Sequence, residues 1–362
     1  MKDRRTLIYM LILSTFLLSM MALLASADTG MTNAKSSSLY NVNTKTFLYR
    51  DNSEIKLPMA STTKIVTALI AIETLDPDEI IKVPKDATGI EGSSIYLKEG
   101  DKISVSDLIY SVLLQSANDA ATVLALRISG DVNSFADKMN ERVSSLGLSN
   151  THFENPHGLD SSQHYTTAYD LALIASEALN NEQFRKITST YKHTFKIGDE
   201  TRTIVNHNKL IKLYDGCIGV KTGFTKKCGR CLVSAASRNG ITLVAVTLND
   251  PDDWNDHIKM LNYGFDILET VKIDSIVDMP NTIPTISKDH PTIPIELRQN
   301  EIVKYKDEQM ECSIDLPQYI AKNIKAGEKI GTLTVKLNDR TELIDIISKI
   351  DVTIKNSKRR FL

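Results

Sequence analysis

The chain has 362 residues, 42% of them hydrophobic and 24% charged, with a formal net charge of −2. That composition excludes a disordered or fibrous protein, and the near-neutral charge offers no basic field for nucleic acid and no acidic tail. The length accommodates two domains without requiring them.

Lys2, Arg4 and Arg5 open the chain, a largely apolar run covers 7–24, and Ala25-Ser26-Ala27 puts small residues at the positions a signal peptidase reads. This is the layout of a secretory signal peptide over 1–27, cleaved after Ala27. The run is also about the minimum for crossing a bilayer, so an uncleaved anchor is the alternative. In both cases the rest is expected outside the cytoplasm: at the outer face of the cytoplasmic membrane, in the periplasm or in the cell wall.

From 28 to 270 helical and strand periodicities mix. Residues 38–48 read as strand and turn. Residues 62–75 read as a helix that is apolar nearly all round (Ile65, Val66, Ala68, Leu69, Ile72) and therefore buried, with Pro58 ahead of it and Pro77 closing it. Further helices are expected over 106–114, 120–128, 132–146 and 167–179, the last two capped by Asp131 and Thr166. After Tyr191 come β-type runs at 218–220, 231–237 and 241–248, with Arg238-Asn239-Gly240 marking a hairpin, and then a final helix over 257–268. The expected class is α+β, a helical region packed on an antiparallel sheet. Proline then becomes frequent (Pro280, Pro284, Pro291, Pro294), and alternation at Leu333, Val335 and Leu337 and at Val352 and Ile354 indicates a separate small β-rich domain over 271–356. It carries no cluster of reactive residues and reads as a spacer or interaction module. The basic end 357–362 is too short for an amphipathic membrane helix; a solvated tail is favoured over a peripheral membrane contact.

Of the four cysteines, Cys217, Cys228 and Cys231 cluster and Cys312 stands apart. Zinc needs more ligands than the C-x-x-C pair at Cys228 and Cys231 provides, and no thioredoxin-like context precedes it. A structural disulfide or buried thiols is the reading, with the pairing open.

Three short patterns occur in order: Ser61-Thr62-Thr63-Lys64, Ser116-Ala117-Asn118 and Lys221-Thr222-Gly223. Each is weak alone, since Ser53 with Lys56 and Ser189 with Lys192 share the first spacing, and Ser237 with Asn239 the second. Context separates them. Ser61 opens a buried helix, Ser116 sits between two helices, and Lys221 is expected to end a strand. Helix positions i and i+3 share a face, so Lys64 reaches Ser61 Oγ. A serine hydroxyl needs an adjacent base, and a lysine half-neutral at pH 7 needs a shift of roughly 3.4 units, or about 4.6 kcal/mol. Burial and a second cation, Lys221, push that way. Ser116 can pass a proton to a leaving amine, and the Asn118 amide can hold a substrate carbonyl or N–H. Lys221 and Thr222 suit a small carboxylate, and Gly223 leaves room for an extended substrate on a strand edge. Taken singly, these residues also fit a helix cap, an N-cap and a β-turn.

This ordered set resembles the serine penicillin-recognising enzymes, and most of all the D-alanyl-D-alanine carboxypeptidases among the low-molecular-mass penicillin-binding proteins. Residues 58–64, 92–97, 115–121, 155–160 and 219–225 are all similar to segments of that family. The resemblance implies a β-lactamase/transpeptidase-like catalytic domain and no metal or organic cofactor. It implies peptidoglycan stem peptides as substrates and β-lactams as covalent inhibitors. It further implies Ser61 as nucleophile, Lys64 as base, Ser116 as proton donor to the leaving group, and Asn118, Lys221, Thr222, Gly223 and Phe224 as substrate-binding residues, with the Ser61 and Phe224 N–H groups as oxyanion hole. His207 stands where some relatives have a basic residue near the carboxylate. A D,D-endopeptidase, a β-lactamase using Glu154, and a non-catalytic penicillin-binding cell-wall protein are the competing readings.

Overall fold

The computed structural model describes residues 30–354; the expected signal peptide and basic tail lie outside the described residues. The chain divides into two compact units, one taking the described residues up to Asn41, Thr46–Ala236 and Leu243–Asn262, the other taking Val42–Lys45, Ser237–Thr242 and the described residues from Tyr263 on.

In the first unit, strands β1 (Ser36–Asn41) and β2 (Thr46–Asp51) lead to a 3-10 turn (Ala60–Thr63) and helix α1 (Lys64–Thr74). The short strands β3 (Ile80–Lys82) and β4 (Lys102–Ser104) precede α2 (Val105–Leu114), α3 (Asn118–Ser129), α4 (Val132–Ser144), α5 (Ala168–Leu179) and α6 (Glu182–Thr188). A hairpin of β5 (Lys192–Ile197) and β6 (Glu200–Val205), the short α7 (Leu210–Leu213), strands β7 (Cys217–Thr225), β8 (Gly229–Arg238) and β9 (Ile241–Leu248), and helix α8 (Asp253–Ile267) follow.

The main sheet is antiparallel, with strand order β2-β1-β9-β8-β7. Every residue of β9 is buried, as a strand covered on both faces must be. Ser38 of β1 donates to Ala168 O at the start of α5, whereas its neighbour Ser37 is paired with Thr247, whose hydroxyl meets His257 of α8 at 3.0 Å. Successive strand residues face opposite sides, so α5 and α8 cover opposite faces. Between α5 and the other helices runs α1, buried from Lys64 through Ala71.

The predicted elements are present with boundaries moved by a few residues. Asp131 caps α4 through Ser134 N. The cap of α5 is Thr167, which accepts from Asp170 N, and not Thr166, whose hydroxyl is spent on Thr151. Helix α6 and the β5–β6 hairpin were not foreseen. Seven residues of mixed polarity give little helical period, and β5 alternates between polar and apolar residues only over the four positions from Thr194 to Ile197, too short a run to stand out. Lys221 does not end its strand. It lies in the middle of β7, because pairing with β8 carries the ladder on to Thr225.

The second unit comprises β10 (Leu268–Lys272) paired with β13 (Glu301–Tyr305), and a sheet of order β11-β12-β16-β15-β14 built from Thr282–Pro284, Thr292–Leu297, Thr341–Ser348, Lys329–Lys336 and Glu311–Asp315. Ile293, Leu333, Val335 and Ile346 form its dry centre.

Gly158, at φ +89°, marks the tightest approach near α1: a Cβ there would sit 1.9 Å from Ala60 O and 2.9 Å from Thr63 Oγ1. Gly158→Ala is therefore expected to destabilise the first unit by about 3 kcal/mol or more, read as a lowered denaturation midpoint. An unchanged midpoint would refute this packing.

Candidate active site

The nucleophile turn is built before any chemistry is considered. Ala60 has φ +47°, a strained value for a residue with a Cβ, and turns the chain sharply into the 3-10 segment. Ser61 and Lys64 are three apart across this segment, where i and i+3 eclipse, so the two side chains line up more closely than on an α-helix. Thr62 and Thr63 tie the turn back to Met59 O and Ala60 O. Thr63 also meets His164 Nε2 at 2.7 Å, while His164 Nδ1 accepts from Glu154 N at 3.0 Å. That acceptor role places the ring proton on Nε2, and burial holds the imidazole neutral with a pKa of about 4.

Lys64 is wholly buried. Its Nζ lies 3.0 Å from Ser61 Oγ, 2.6 Å from Asn118 Oδ1 and 2.5 Å from His157 O. Burial first, and the neighbouring Lys221 second, hold its pKa well below the ordinary lysine range, with Asp119 pulling the other way. The partner set explains what a neutral amine does here. Asn118 Oδ1 and His157 O are acceptors only and take its two N–H bonds. The lone pair then faces Ser61 Oγ, the one partner of the three that has a proton to give.

The remaining predicted residues gather around this pair. Ser116, expected between two helices, is buried there with φ +63°, a left-handed kink that leads into α3. Asn118 is the first residue of α3 but caps nothing; its amide links Lys64 to Glu91 O, to which Nδ2 donates at 2.5 Å. Lys221 is buried, its pKa brought down to about 7 by that burial, and its Nζ donates to Thr222 O at 2.8 Å. Gly223 backs directly onto the nucleophile turn: a Cβ there would lie 3.0 Å from Ser61 N. Its smoothness thus serves the protein's own backbone. Phe224 is 66% exposed on β7, the strand at the end of the sheet. A cavity of about 460 Å³ joins Ser61, Ser93, Ser116, Thr222 and Phe224.

Other residues of the site went unseen in the sequence. His157 and Glu91 act through backbone carbonyls, which have no side-chain signature. Asp119, beside Asn118, accepts from Ser94 Oγ and from the N–H groups of Ile95 and Leu97, shaping the loop that bears Ser93. Arg230, Asp253 and Trp254 line the far end of the cavity with His207. Glu154 is turned away onto Gln163 N and does not line it. Cys228 and Cys231 face each other as thiols 3.4 Å apart, Cys228 donating to Pro58 O at 2.8 Å, and the contact with Cys231 first and burial second push the Cys228 thiol pKa up. Among the described residues no cluster of metal-ligating side chains occurs.

A serine whose hydroxyl faces a buried lysine of lowered pKa, beside a second serine and an edge strand, defines a serine-type acyl-transfer enzyme of α+β architecture. The chain matches the family model described as D-alanyl-D-alanine carboxypeptidase over residues 23–252, and it belongs to that family. It is 34% identical over 319 residues to the D-alanyl-D-alanine carboxypeptidase DacF of Bacillus subtilis, spanning 84% of this chain and 81% of that one. Among solved structures, the Streptomyces K15 DD-transpeptidase superposes with a TM-score of 0.62 at 33% identity, covering 65% of this chain and 98% of that one. Penicillin binding protein 5 from Haemophilus influenzae superposes with a TM-score of 0.67 at 26% identity, covering 89% of this chain and 98% of that one.

Because Lys221 holds the Lys64 pKa down, Lys221→Gln should raise it. The acid limb of the pH profile for Ser61 acylation then moves to higher pH, where the parent is already fully active. A limb that stays in place, or moves to lower pH, would show that Lys64 does not feel Lys221.

Proposed function

We propose that this chain is an exported serine D-alanyl-D-alanine carboxypeptidase that removes the terminal D-alanine from peptidoglycan pentapeptide stems during cell-wall maturation. The observation that carries the reading is the partner set of Lys64, which leaves its lone pair for the Ser61 hydroxyl.

In the proposed reaction the stem peptide lies along the free edge of β7 as an added strand. Lys221 and Thr222 hold its terminal carboxylate, and the unused Nδ2 hydrogen of Asn118 orients the acyl carbonyl. Ser61 Oγ attacks the carbonyl between the two D-alanines while its proton passes to Lys64 Nζ. The tetrahedral oxyanion rests on the N–H groups of Ser61 and Phe224, donors each worth about 3 kcal/mol in such sites. The C–N bond then breaks as Ser116 protonates the departing amine and takes the proton held by Lys64 Nζ in return; water, giving a proton to the freed Lys64 Nζ, hydrolyses the Ser61 ester, and that proton returns to Ser61 Oγ. A β-lactam acylates Ser61 by the same first step. Glu154, engaged elsewhere, supports the carboxypeptidase reading over a β-lactamase, which needs a carboxylate to drive fast deacylation.

Export is part of the proposal, since the substrate lies outside the cytoplasm. No helix among the described residues is long and apolar enough to cross a membrane.

Incubation of the protein with a pentapeptide ending in D-Ala-D-Ala is expected to release D-alanine, and a fluorescent penicillin to label it and to be released slowly. Ser61→Ala should lose both activities, and Lys64→Gln should lower kcat/KM by about 10³-fold, the range of a lost general base. Parent protein that neither labels nor releases D-alanine would overturn the reading. Rapid turnover of penicillin would replace it with a β-lactamase, and preferential cleavage of cross-linked muropeptides with an endopeptidase.

A further inference from the structure

Residues 153–164 form an irregular loop that closes on itself beside the nucleophile turn. Its neck is pinned by the antiparallel bridge between His152 and Tyr165 and by Gln163 N, which donates to Glu154 Oε2 at 2.9 Å. Partway round the loop, His157 supplies the carbonyl that Lys64 Nζ meets at 2.5 Å. The geometry of the base therefore depends on two separate pieces of chain keeping register: this loop and the turn that bears Ser61.

One buried side chain spans both. His164, only 4% exposed, stands at the neck of the loop. Its Nδ1 accepts from Glu154 N at 3.0 Å, and its Nε2 lies 2.7 Å from Thr63 Oγ1. Thr63 gives its single hydroxyl proton to Ala60 O at 2.8 Å, so towards the ring it can only accept. Both contacts thus require the same tautomer, with the proton on Nε2. The resulting chain of hydrogen bonds runs from Glu154 N through His164 and Thr63 to Ala60 O, the residue just before Ser61.

The turn needs such a tie. Ala60 is held at φ +47°, a conformation that a residue with a Cβ adopts at a cost, and its relaxation would move Ser61. Loop and turn are already in close backbone approach at the point where His164 joins them, since a Cβ on Gly158 would lie 1.9 Å from Ala60 O and 2.9 Å from Thr63 Oγ1. Phe153 meets the His164 ring edge to face, with centres 5.7 Å apart, and so limits its rotation. Burial keeps the imidazole neutral, with a pKa of about 4, and only a neutral ring accepts at one nitrogen while it donates at the other.

We propose that His164 is a positioning residue for acylation: by clamping the 153–164 loop to the nucleophile turn through Thr63, it holds His157 O and Ser61 Oγ at the separations from Lys64 Nζ that aim the lone pair at the serine. It acts through Thr63 and Glu154 N and touches no reacting atom. The inference rests on the acyl-serine reading of Ser61 and Lys64. In the proposed reaction the substrate lies along β7, away from the clamp, so the role belongs to turnover and not to binding.

The test compares the parent with His164→Leu, His164→Gln, Thr63→Val and the double variant of His164→Leu with Thr63→Val. Each is assayed on an N-acylated D-alanyl-D-alanine peptide and for penicillin acylation, well below its own denaturation midpoint. In His164→Leu, kcat and the acylation rate should fall about 30-fold or more with KM within about threefold. The amide of His164→Gln can donate to Thr63 and accept from Glu154 N, and should restore kcat to within about fivefold of the parent. The double variant should lie within about twofold of the poorer single one, because both substitutions remove the same link. A kcat for His164→Leu within about threefold of the parent, with or without a lowered midpoint, overturns the inference. So does His164→Gln no better than His164→Leu, or losses that multiply in the double variant. Should His164→Leu not fold, Thr63→Val decides, and a parental kcat in it is the overturning result. Parent protein that releases no D-alanine and takes up no penicillin defeats the underlying reading and this inference with it.

Discussion

The first unit is arranged around one buried amine. Lys64 has no acidic partner within hydrogen-bonding distance among its three contacts, only a side-chain amide, a backbone carbonyl and a hydroxyl. A charged ammonium in that setting carries a desolvation penalty that neutral acceptors offset only in part. The amine therefore sheds its proton more readily than a free lysine, and the fold converts a burial penalty into basicity. Each surrounding element contributes to that outcome: α1 supplies the apolar wall, α3 brings Asn118, the loop at His157 brings its carbonyl, and β7 brings the second cation.

Those contributions require backbone precision, and the molecule obtains it with short-range devices. Ala60 and Ser116, both left-handed, turn the chain sharply on either side of the amine. Gly158 and Gly223 allow two further segments to lie against the nucleophile turn at distances that a methyl group would not permit. Asp119 binds the loop from Ser94 to Leu97 through its carboxylate, and its charge also opposes the lowering of the Lys64 pKa. Rigidity at the turn and moderation of the amine thus meet in adjacent residues of α3.

Much of this was legible in the chain because it is carried by side-chain type and period. The apolar wrap of α1, the ordered triplet of short patterns and the hairpin at Asn239 and Gly240 all depend on local chemistry. The decoys separate for the same reason. Ser189 ends α6 and Lys192 begins β5, so that pair shares no helical face, and Lys56 is exposed beside the Tyr165 ring. What stayed hidden is non-local or borne by the backbone. The carbonyls of His157 and Glu91 carry no residue signature. Arg230 and Asp253 are 23 positions apart and meet only when β8 packs beneath α8. The extension of β7 beyond Lys221 is set by the register of its partner and not by its own alternation.

The place of β7 at the end of the sheet has a further consequence. A strand edge without a strand partner presents main-chain donors and acceptors to any extended chain, whatever its side chains. Recognition through that edge is generous by nature, so selectivity has to come from the ends of whatever lies along it. The edge is also a place where two copies of the protein could join strand to strand. Just past β7 stand Lys226 and Lys227, both exposed. Like charges at the tip of an open strand repel a second identical strand laid in register beside it. A groove left open for one kind of chain is in this way kept unattractive to copies of itself.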